Sequence, residues 1–152
     1  MTGVREAALS DFDALHALYK ELVGRIDVPA GAAGRARLAE VLAHPGTRIF
    51  IAEEEGRAAA MATLHVLPNM TFGGRPYALV ENVVTLKSCQ GRGLGRRVMA
   101  ALVNAAWSAG AYKIMLLTGP DLGARGFYEK LGFSAEEKHG MTLRRAPKRQ
   151  PD

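Results

Sequence analysis

The sequence lacks several features that would assign a protein to a particular class. It contains one cysteine, Cys89, so no disulfide can form within the chain, and its four histidines do not have metal-ligand spacing. No run of about eighteen apolar residues is present, which argues against a membrane-spanning helix. The first residues also lack the basic and apolar layout of a secretory signal. These absences favour a cytoplasmic protein that uses no metal and does not bind a membrane.

Composition and charge indicate an ordinary globular domain. Of the 152 residues, 48% are apolar and 23% are charged, which is typical of a folded domain of this length. We therefore expect one domain over residues 1–145 and a basic, solvated tail over residues 146–152. The net charge of +5 fits either nucleic acid or a small polyanion. We expect the polyanion and no nucleic acid, because arginines surround the loop described next.

A glycine-rich loop is the most informative feature of the chain. Residues 90–96 read Gln-Gly-Arg-Gly-Leu-Gly-Arg, with an apolar alternating run (77–86) before them and an amphipathic run (94–109) after them. Glycine lets the backbone turn sharply and approach a ligand closely. The N-terminus of the following helix directs unpaired N–H groups and the positive end of its dipole at the same place. A strand, a glycine loop and a helix N-terminus together predict a phosphate-binding site.

The spacing of the glycines decides between the known kinds of phosphate-binding loop. A dinucleotide fingerprint counted from Gly91 requires a glycine where Arg96 stands, and no Gly-Lys-Ser or Gly-Lys-Thr of a P-loop occurs in the chain. The pattern that fits is Gln-x-x-Gly-x-Gly, formed by Gln90, Gly93 and Gly95.

This pattern resembles the pyrophosphate loop of the GNAT superfamily of acyl-CoA-dependent N-acetyltransferases. Residues 127–133, Phe-Tyr-Glu-Lys-Leu-Gly-Phe, resemble the C-terminal helix and strand of the same superfamily. The two motifs have the expected order and about the expected separation, and they cover residues 77–133. The resemblance implies that acetyl-CoA is the acyl donor.

The resemblance also implies which residues hold the coenzyme. The strand before the loop would offer backbone N–H groups to the acyl carbonyl and the pantetheine amides, around Val83, Val84 and Leu86. The residues implied to hold the pyrophosphate are Gln90, Gly91, Arg92, Gly93, Leu94, Gly95 and Arg96.

Hydrophobic periodicity predicts an alternating order of strands and helices. The predicted strands are 4–8, 47–53, 58–66, 75–86, 114–117 and one from Phe133, with a further strand at 141–144. The predicted helices are one of about twelve residues with Ser10 as N-cap, then 35–42, 94–109 and 124–131. The apolar run 114–117 is typical of a strand buried on both faces.

These elements predict an α/β sandwich with a mixed, mostly antiparallel sheet of about six or seven strands. The strands on either side of helix 94–109 should be parallel neighbours, because a helix crosses between them. The resemblance implies the same order in three layers, with the central parallel pair splayed at the coenzyme site.

Tyr128 is the candidate general acid. In the superfamily a tyrosine at this point lies near the coenzyme sulfur, and a phenol is a suitable proton donor to a leaving thiolate. The alternative is that Tyr128 only packs the last helix onto the sheet, with its hydroxyl bonded to the backbone.

Glu81 is the candidate general base, because it lies in an otherwise apolar strand where a partly buried carboxylate becomes more basic. The alternative is a structural pair with an arginine. Asn82 should point to the opposite face unless a bulge intervenes, and it is a weak candidate for the substrate site. His65, on the preceding strand, is a second weak candidate that could share the role of base.

Two further residues bear on the chemistry. Cys89 precedes the loop, but no histidine is placed locally to activate it, so we interpret it as a bystander. The superfamily often has an asparagine six residues before the Phe-Tyr pair, and Asp121 stands there instead. A carboxylate would repel phosphate, which puts a coenzyme contact at this position in question.

The sequence therefore predicts an N-acetyltransferase that moves an acetyl group from acetyl-CoA directly to a primary amine, in particular that of a small molecule. The acceptor pocket should be built from the first two helices and the loop at 68–75. The alternative is a catalytically silent module that binds acyl-CoA or a protein partner. Superfamily enzymes commonly dimerise, so we also expect a homodimer.

Overall fold

The computed structural model describes residues 3–148. Five strands and five helices follow in the order β1 (Val4–Glu6), α1 (Phe12–Val23), α2 (Gly31–Ala43), β2 (Thr47–Glu54), β3 (Arg57–Leu67), α3 (Thr71–Gly74), β4 (Tyr77–Thr85), α4 (Leu94–Ser108), β5 (Ile114–Met115) and α5 (Leu122–Lys130). Short 3-10 turns precede α1 and α4. The boundary predicted at residue 145 stays a prediction, and residues 149–152 of the predicted tail lie outside the described residues.

The five strands form one sheet in the order β1-β2-β3-β4-β5. All neighbours are antiparallel except β4 and β5, which are parallel because α4 crosses from one to the other. The predicted mixed sheet and its parallel pair are confirmed.

The predicted number of six or seven strands is wrong. Neither Phe133 nor residues 141–144 belong to a strand in the described part of the chain. The apolar side chains of Met141 and Leu143 are 93% and 102% exposed. Among residues 3–148 these two side chains have almost no surface to pack on, and packing is what stabilises a pleated segment.

The sheet separates two cores, which gives the three layers that were expected. On one face, α4 packs its apolar stripe onto alanines of β3, including Ala60 and Ala62. On the other face, α1 and α2 pack onto the alternate residues of β2 and β3, including Ile49, Ile51 and Met61.

Some predicted boundaries differ from those in the structure. Ser10 does not cap α1; the carboxylate of Asp11 instead accepts the N–H of Ala8 at 2.8 Å. Helix α2 begins at Gly31 rather than residue 35. Its Gly34 lies so close to Pro29 and α1 that an added Cβ would be 2.3 Å from the carbonyl oxygen of Pro29 and 2.8 Å from the ring of Phe12.

The run 114–117 was predicted to be a doubly buried strand, and this is wrong. Only Ile114 and Met115 pair with β4, and Leu117 is 65% exposed. The sheet has no strand beyond β5, so this run has a covered side and an open one. No helix within residues 3–148 is long and apolar enough to cross a membrane.

Candidate active site

The parallel strands β4 and β5 pair over only two residues of each strand. Strand β5 pairs only with Ala78 and Leu79 of β4, so the remainder of that edge, from Val80 to Thr85, has no neighbouring strand among residues 3–148. A bound molecule with amide groups can pair with such an edge as a further strand would. Val83 and Val84 lie in this unpaired half, directly before the glycine loop.

Leu86 differs from the two valines. Its backbone N–H donates to the carbonyl of Ala59 at 2.9 Å, and its carbonyl accepts from the N–H of Cys89 at 2.8 Å. Its polar backbone atoms are therefore occupied within the fold, and a coenzyme contact through the N–H of Leu86 does not fit this arrangement.

A bulge interrupts β4 in its unpaired half. Met61 faces Val84 and Thr63 faces Glu81, so between these two pairs β4 contains one more residue than β3. Asn82 accommodates the bulge with a φ of +53°, a left-handed conformation that asparagine tolerates better than most residues.

The bulge decides which way the neighbouring side chains point. After it, Val83 packs against the α4 core and Val84 against the α1 core, the reverse of uninterrupted alternation. Glu81 and Asn82 consequently lie on the same face of the sheet, the face covered by α1 and α2. The predicted exception to strand alternation is present.

The glycine loop has the geometry of an anion site. Gly91 and Gly93 have φ of +77° and +76°. Gly93 is the N-cap residue of α4 and provides no side-chain cap, so the first N–H groups of the helix have no side-chain partner. At Gly95 an added Cβ would be 3.1 Å from Thr85 Oγ1. The backbone here is open to a phosphate and too crowded for a side chain at Gly95.

The charges around the loop are unequal. Arg92 donates to Glu54 at 2.7 Å, so part of its charge is already compensated. Arg96 is exposed and has no hydrogen bond or ion pair within residues 3–148. The side-chain amide of Gln90 donates to the carbonyl of Thr85 at 3.4 Å, which ties the loop to the end of β4.

Tyr128 is half-buried and packs against the core beneath α4. Its ring makes edge contacts with the rings of Phe127 and Phe133, at centroid distances of 5.1 and 6.0 Å. Burial raises the pKa of Tyr128, because the charged phenolate is poorly solvated there. The described residues provide no hydrogen-bond partner for its hydroxyl. The phenol therefore stays protonated, with an O–H available to another acceptor.

Three other candidates have different environments from those expected. Glu81 is exposed, so the expected partial burial is absent. Asp121 is the N-cap of α5, where its carboxylate accepts the N–H of Gly123 at 2.9 Å. Cys89 is half-buried with Ser88 Oγ 3.6 Å from its sulfur, and no histidine is bonded to it within the described chain.

A cleft of about 310 Å³ lies between α1, α2 and the face of β3 that carries Thr63. Apolar side chains of the two helices form much of its wall. Its polar lining consists of His16, Tyr19, Arg37, Thr63, His65 and Asn82. The two helices build the pocket as predicted, but the loop at 68–75 does not line it. Phe72 of that loop stacks on Tyr112 instead, at 4.1 Å.

Two of the polar groups in the cleft were not recognised from the sequence. Thr63 is 2% exposed, and its hydroxyl interacts with the Tyr19 phenol without forming a hydrogen bond of normal length. Burial raises the pKa of the neighbouring Tyr19, and the Thr63 hydroxyl opposes this shift. Tyr19 occurs at helical spacing among the apolar residues of α1, and nothing in the local sequence distinguishes a core tyrosine from one that lines a pocket.

A comparison with known protein families agrees with the open sheet edge, the bulge and the uncapped glycine loop. Residues 12–133 match the model of the Acetyltransferase (GNAT) family. The chain belongs to this family. The protein is therefore an acyl-CoA-dependent N-acetyltransferase. It transfers an acetyl group from acetyl-CoA to an amine of a small molecule. The resemblance inferred from the two motifs is thereby confirmed.

Individual relatives agree with the family assignment. The chain is 34% identical to a glucosamine 6-phosphate N-acetyltransferase of Trypanosoma brucei brucei over 79% of this chain and 83% of the relative. It is 40% identical to a probable glucosamine 6-phosphate N-acetyltransferase 2 of Oryza sativa subsp. japonica, over 56% of this chain and 52% of the relative. A solved putative acetyltransferase from Agrobacterium tumefaciens str. C58 superposes with a TM-score of 0.90 at 41% identity, over 94% of this chain and 99% of that one.

Proposed function

We propose that the acceptor is the primary amine of a small phosphorylated amino sugar, bound in the cleft between α1 and α2. The names of the two curated relatives support the substrate class. The observation that carries the proposal is the bulge at Asn82. This residue belongs both to the unpaired half of β4 and to the lining of the cleft. An amine in the cleft would therefore be next to a thioester held along β4.

The volume and lining of the cleft suit such a ligand. About 310 Å³ is at the lower end of the range for small-molecule pockets. Arg37 is the cation of the lining, and its bond to Glu40 at 2.7 Å is at an exposed position where a phosphate could compete. Glu81, exposed on the same face, provides the negative charge that attracts an ammonium group.

The roles of the residues follow from where they lie. At Val83 and Val84, the backbone N–H that points to the unpaired edge would orient the acyl group, since neighbouring residues of a strand direct their N–H groups to opposite edges. The loop from Gln90 to Arg96 would hold the pyrophosphate. Acetyl-CoA, when bound, supplies an activated acetyl group as a thioester.

Proton transfer completes the proposed reaction. Glu81 is the candidate to take a proton from the acceptor. Tyr128 would donate its phenolic proton to the departing thiolate, and its unpartnered hydroxyl supports this role. We propose that catalysis needs no metal, that the enzyme is cytoplasmic and that it acts as a homodimer.

The decisive experiment measures thiol release from acetyl-CoA with glucosamine 6-phosphate, glucosamine and a lysine peptide as acceptors. We expect kcat/KM to be highest for the phosphorylated sugar. Arg37→Gln should raise KM for glucosamine 6-phosphate and leave that for glucosamine unchanged. Arg57→Gln removes the same charge outside the cleft lining and should have no such effect.

Two outcomes would contradict the proposal. Equal turnover of the phosphorylated and unphosphorylated sugars would exclude the phosphate as a recognition element. Binding of acetyl-CoA without turnover of any amine would favour the catalytically silent module instead.

A further inference from the structure

A chain of hydrogen bonds joins two histidines through a buried threonine. Thr47 Oγ1 lies 3.0 Å from His44 Nδ1 and 2.9 Å from His65 Nδ1. The backbone N–H of Gly46 also points at His44 Nδ1, at 3.3 Å. Thr47 is 6% exposed and His65 lines the cleft, whereas His44 is exposed.

The backbone N–H determines the direction of every proton in this chain. A backbone N–H is always a donor, so His44 Nδ1 must be an acceptor and carries no proton. The Thr47 hydroxyl satisfies that nitrogen by donating to it, since two facing lone pairs would repel. Thr47 has one proton, so its oxygen must accept from His65, which places a proton on His65 Nδ1.

A proton on His65 Nδ1 determines the state of the other ring nitrogen, Nε2. In the neutral imidazole only one nitrogen carries a proton, so Nε2 of His65 has a free lone pair. The described residues provide no partner for that nitrogen. We propose that His65 Nε2 accepts the first proton of the acceptor ammonium in the cleft, and that Thr47 and His44 are positioning residues that hold it in the accepting tautomer.

The surroundings of His65 fit a polar ligand. Charged and titratable groups approach it from each packed element: His16 and Tyr19 from α1, Arg37 from α2, His44 beside β2 and Glu81 from β4. The buried hydroxyl of Thr63, whose interaction with Tyr19 falls short of a normal hydrogen bond, lies two residues away along β3. A buried hydroxyl that is incompletely hydrogen-bonded is costly, and a ligand group in the cleft would satisfy it.

The proposal rests on the proposed function and assigns its first proton transfer to His65 in place of Glu81. An ammonium nitrogen cannot attack a thioester until it loses a proton. That proton moves to His65 Nε2, directly or through one water, and the freed electron pair forms the bond from nitrogen to the carbonyl carbon. The carbon–sulfur bond then breaks, and the thiolate takes a proton from Tyr128. The second proton of the nitrogen replaces the one lost by Tyr128, and His65 returns its proton to water.

The test is the pH dependence of turnover in matched variants. The wild-type kcat should have an acidic limb, falling as the pH is lowered, because a His65 ring that already carries two protons cannot accept another. His65→Gln should lower kcat at neutral pH by about 100-fold and remove that acidic limb, with a smaller change in KM. Glu81→Gln should retain the limb, which separates the two candidate bases.

A second pair of variants tests the positioning role. Thr47→Val removes the hydroxyl while keeping the shape, so His65 loses its tautomer preference and kcat should fall. Thr47→Ser restores the hydroxyl and should restore kcat. Unfolding temperature and acetyl-CoA affinity, measured alongside, show that each variant is folded.

Several results would overturn the proposal. A wild-type acidic limb in His65→Gln, or equal losses in Thr47→Val and Thr47→Ser, would refute it while the native enzyme still acetylates its acceptor. Absence of turnover with any amine in the native enzyme would overturn this proposal and the proposed function together.

Discussion

The carboxylate of Glu21 accepts a hydrogen bond from the backbone N–H of Lys87 at 2.6 Å. Glu21 is on α1, one wall of the cleft, and Lys87 opens the turn that leads to the glycine loop. The bond therefore connects the proposed acceptor side of the site to the proposed coenzyme side. It also gives Glu21 a structural role.

Removal of this connection should loosen the glycine loop. Glu21→Ala leaves the Lys87 N–H without its acceptor, at a cost of about 0.5–1.5 kcal/mol. We expect up to about tenfold weaker acetyl-CoA binding by calorimetry. Glu21→Gln keeps a side-chain oxygen and should bind nearly as the wild type does. Equal affinities for the two variants would show that the bond does not support the loop.

Gly93 offers a test of the anion site in which only charge differs. Asparagine and aspartate both tolerate its left-handed φ better than most residues and both cap helices well. Gly93→Asp places a negative charge at the helix N-terminus, and two unit charges 4 Å apart repel by about 1 kcal/mol even in water. Acetyl-CoA should therefore bind at least about fivefold more weakly to Gly93→Asp than to Gly93→Asn, with the gap narrowing at high salt. The same affinity in both would place the phosphates elsewhere.

Tyr128→Phe isolates the phenolic hydroxyl from the ring that packs on Phe127 and Phe133. We expect kcat to fall by about 100-fold or more, with acetyl-CoA affinity and unfolding temperature unchanged. Steady-state kinetics and calorimetry on the same samples measure both effects. An unchanged kcat would leave Tyr128 with only its packing role.

Burial raises the pKa of Tyr19, so the free energy of unfolding should depend on pH in the alkaline range. The folded state retains the Tyr19 proton at a pH where the unfolded chain has lost it. Tyr19 therefore contributes fully to stability below its unfolded pKa, near 10, and this contribution is lost as the pH rises through the higher folded pKa. Denaturant unfolding from pH 8 to 11 should show a decline that is less steep in Tyr19→Phe. An equally steep decline would assign the effect to other groups.

Asp121 should matter to helix α5 rather than to the coenzyme. Asp121→Ala removes the bond to the Gly123 N–H and should destabilise the fold by about 1 kcal/mol, measured by denaturant unfolding. Asp121→Asn retains a capping oxygen and should be nearly neutral. A loss of acetyl-CoA affinity that exceeds the loss of stability would instead indicate a coenzyme contact.

The sequence by itself determined the family and the parallel pair, and it predicts where a phosphate would bind. These depend on neighbours along the chain: Gln90, Gly93 and Gly95 share one turn, and α4 follows directly from it. Because a strand, a tight loop and a helix N-terminus are local structures, their residue pattern is sufficient to recognise them.

The tertiary structure alone decided what surrounds that site. The bulge at Asn82 became visible only through the register of β4 against β3, and it reversed the expected facing of the residues after it. The bond between Glu21 and Lys87, and the one between Thr47 and His65, join residues 66 and 18 positions apart. Contacts across such separations leave no periodic signal in a single sequence, because they depend on how the elements pack rather than on how each one forms.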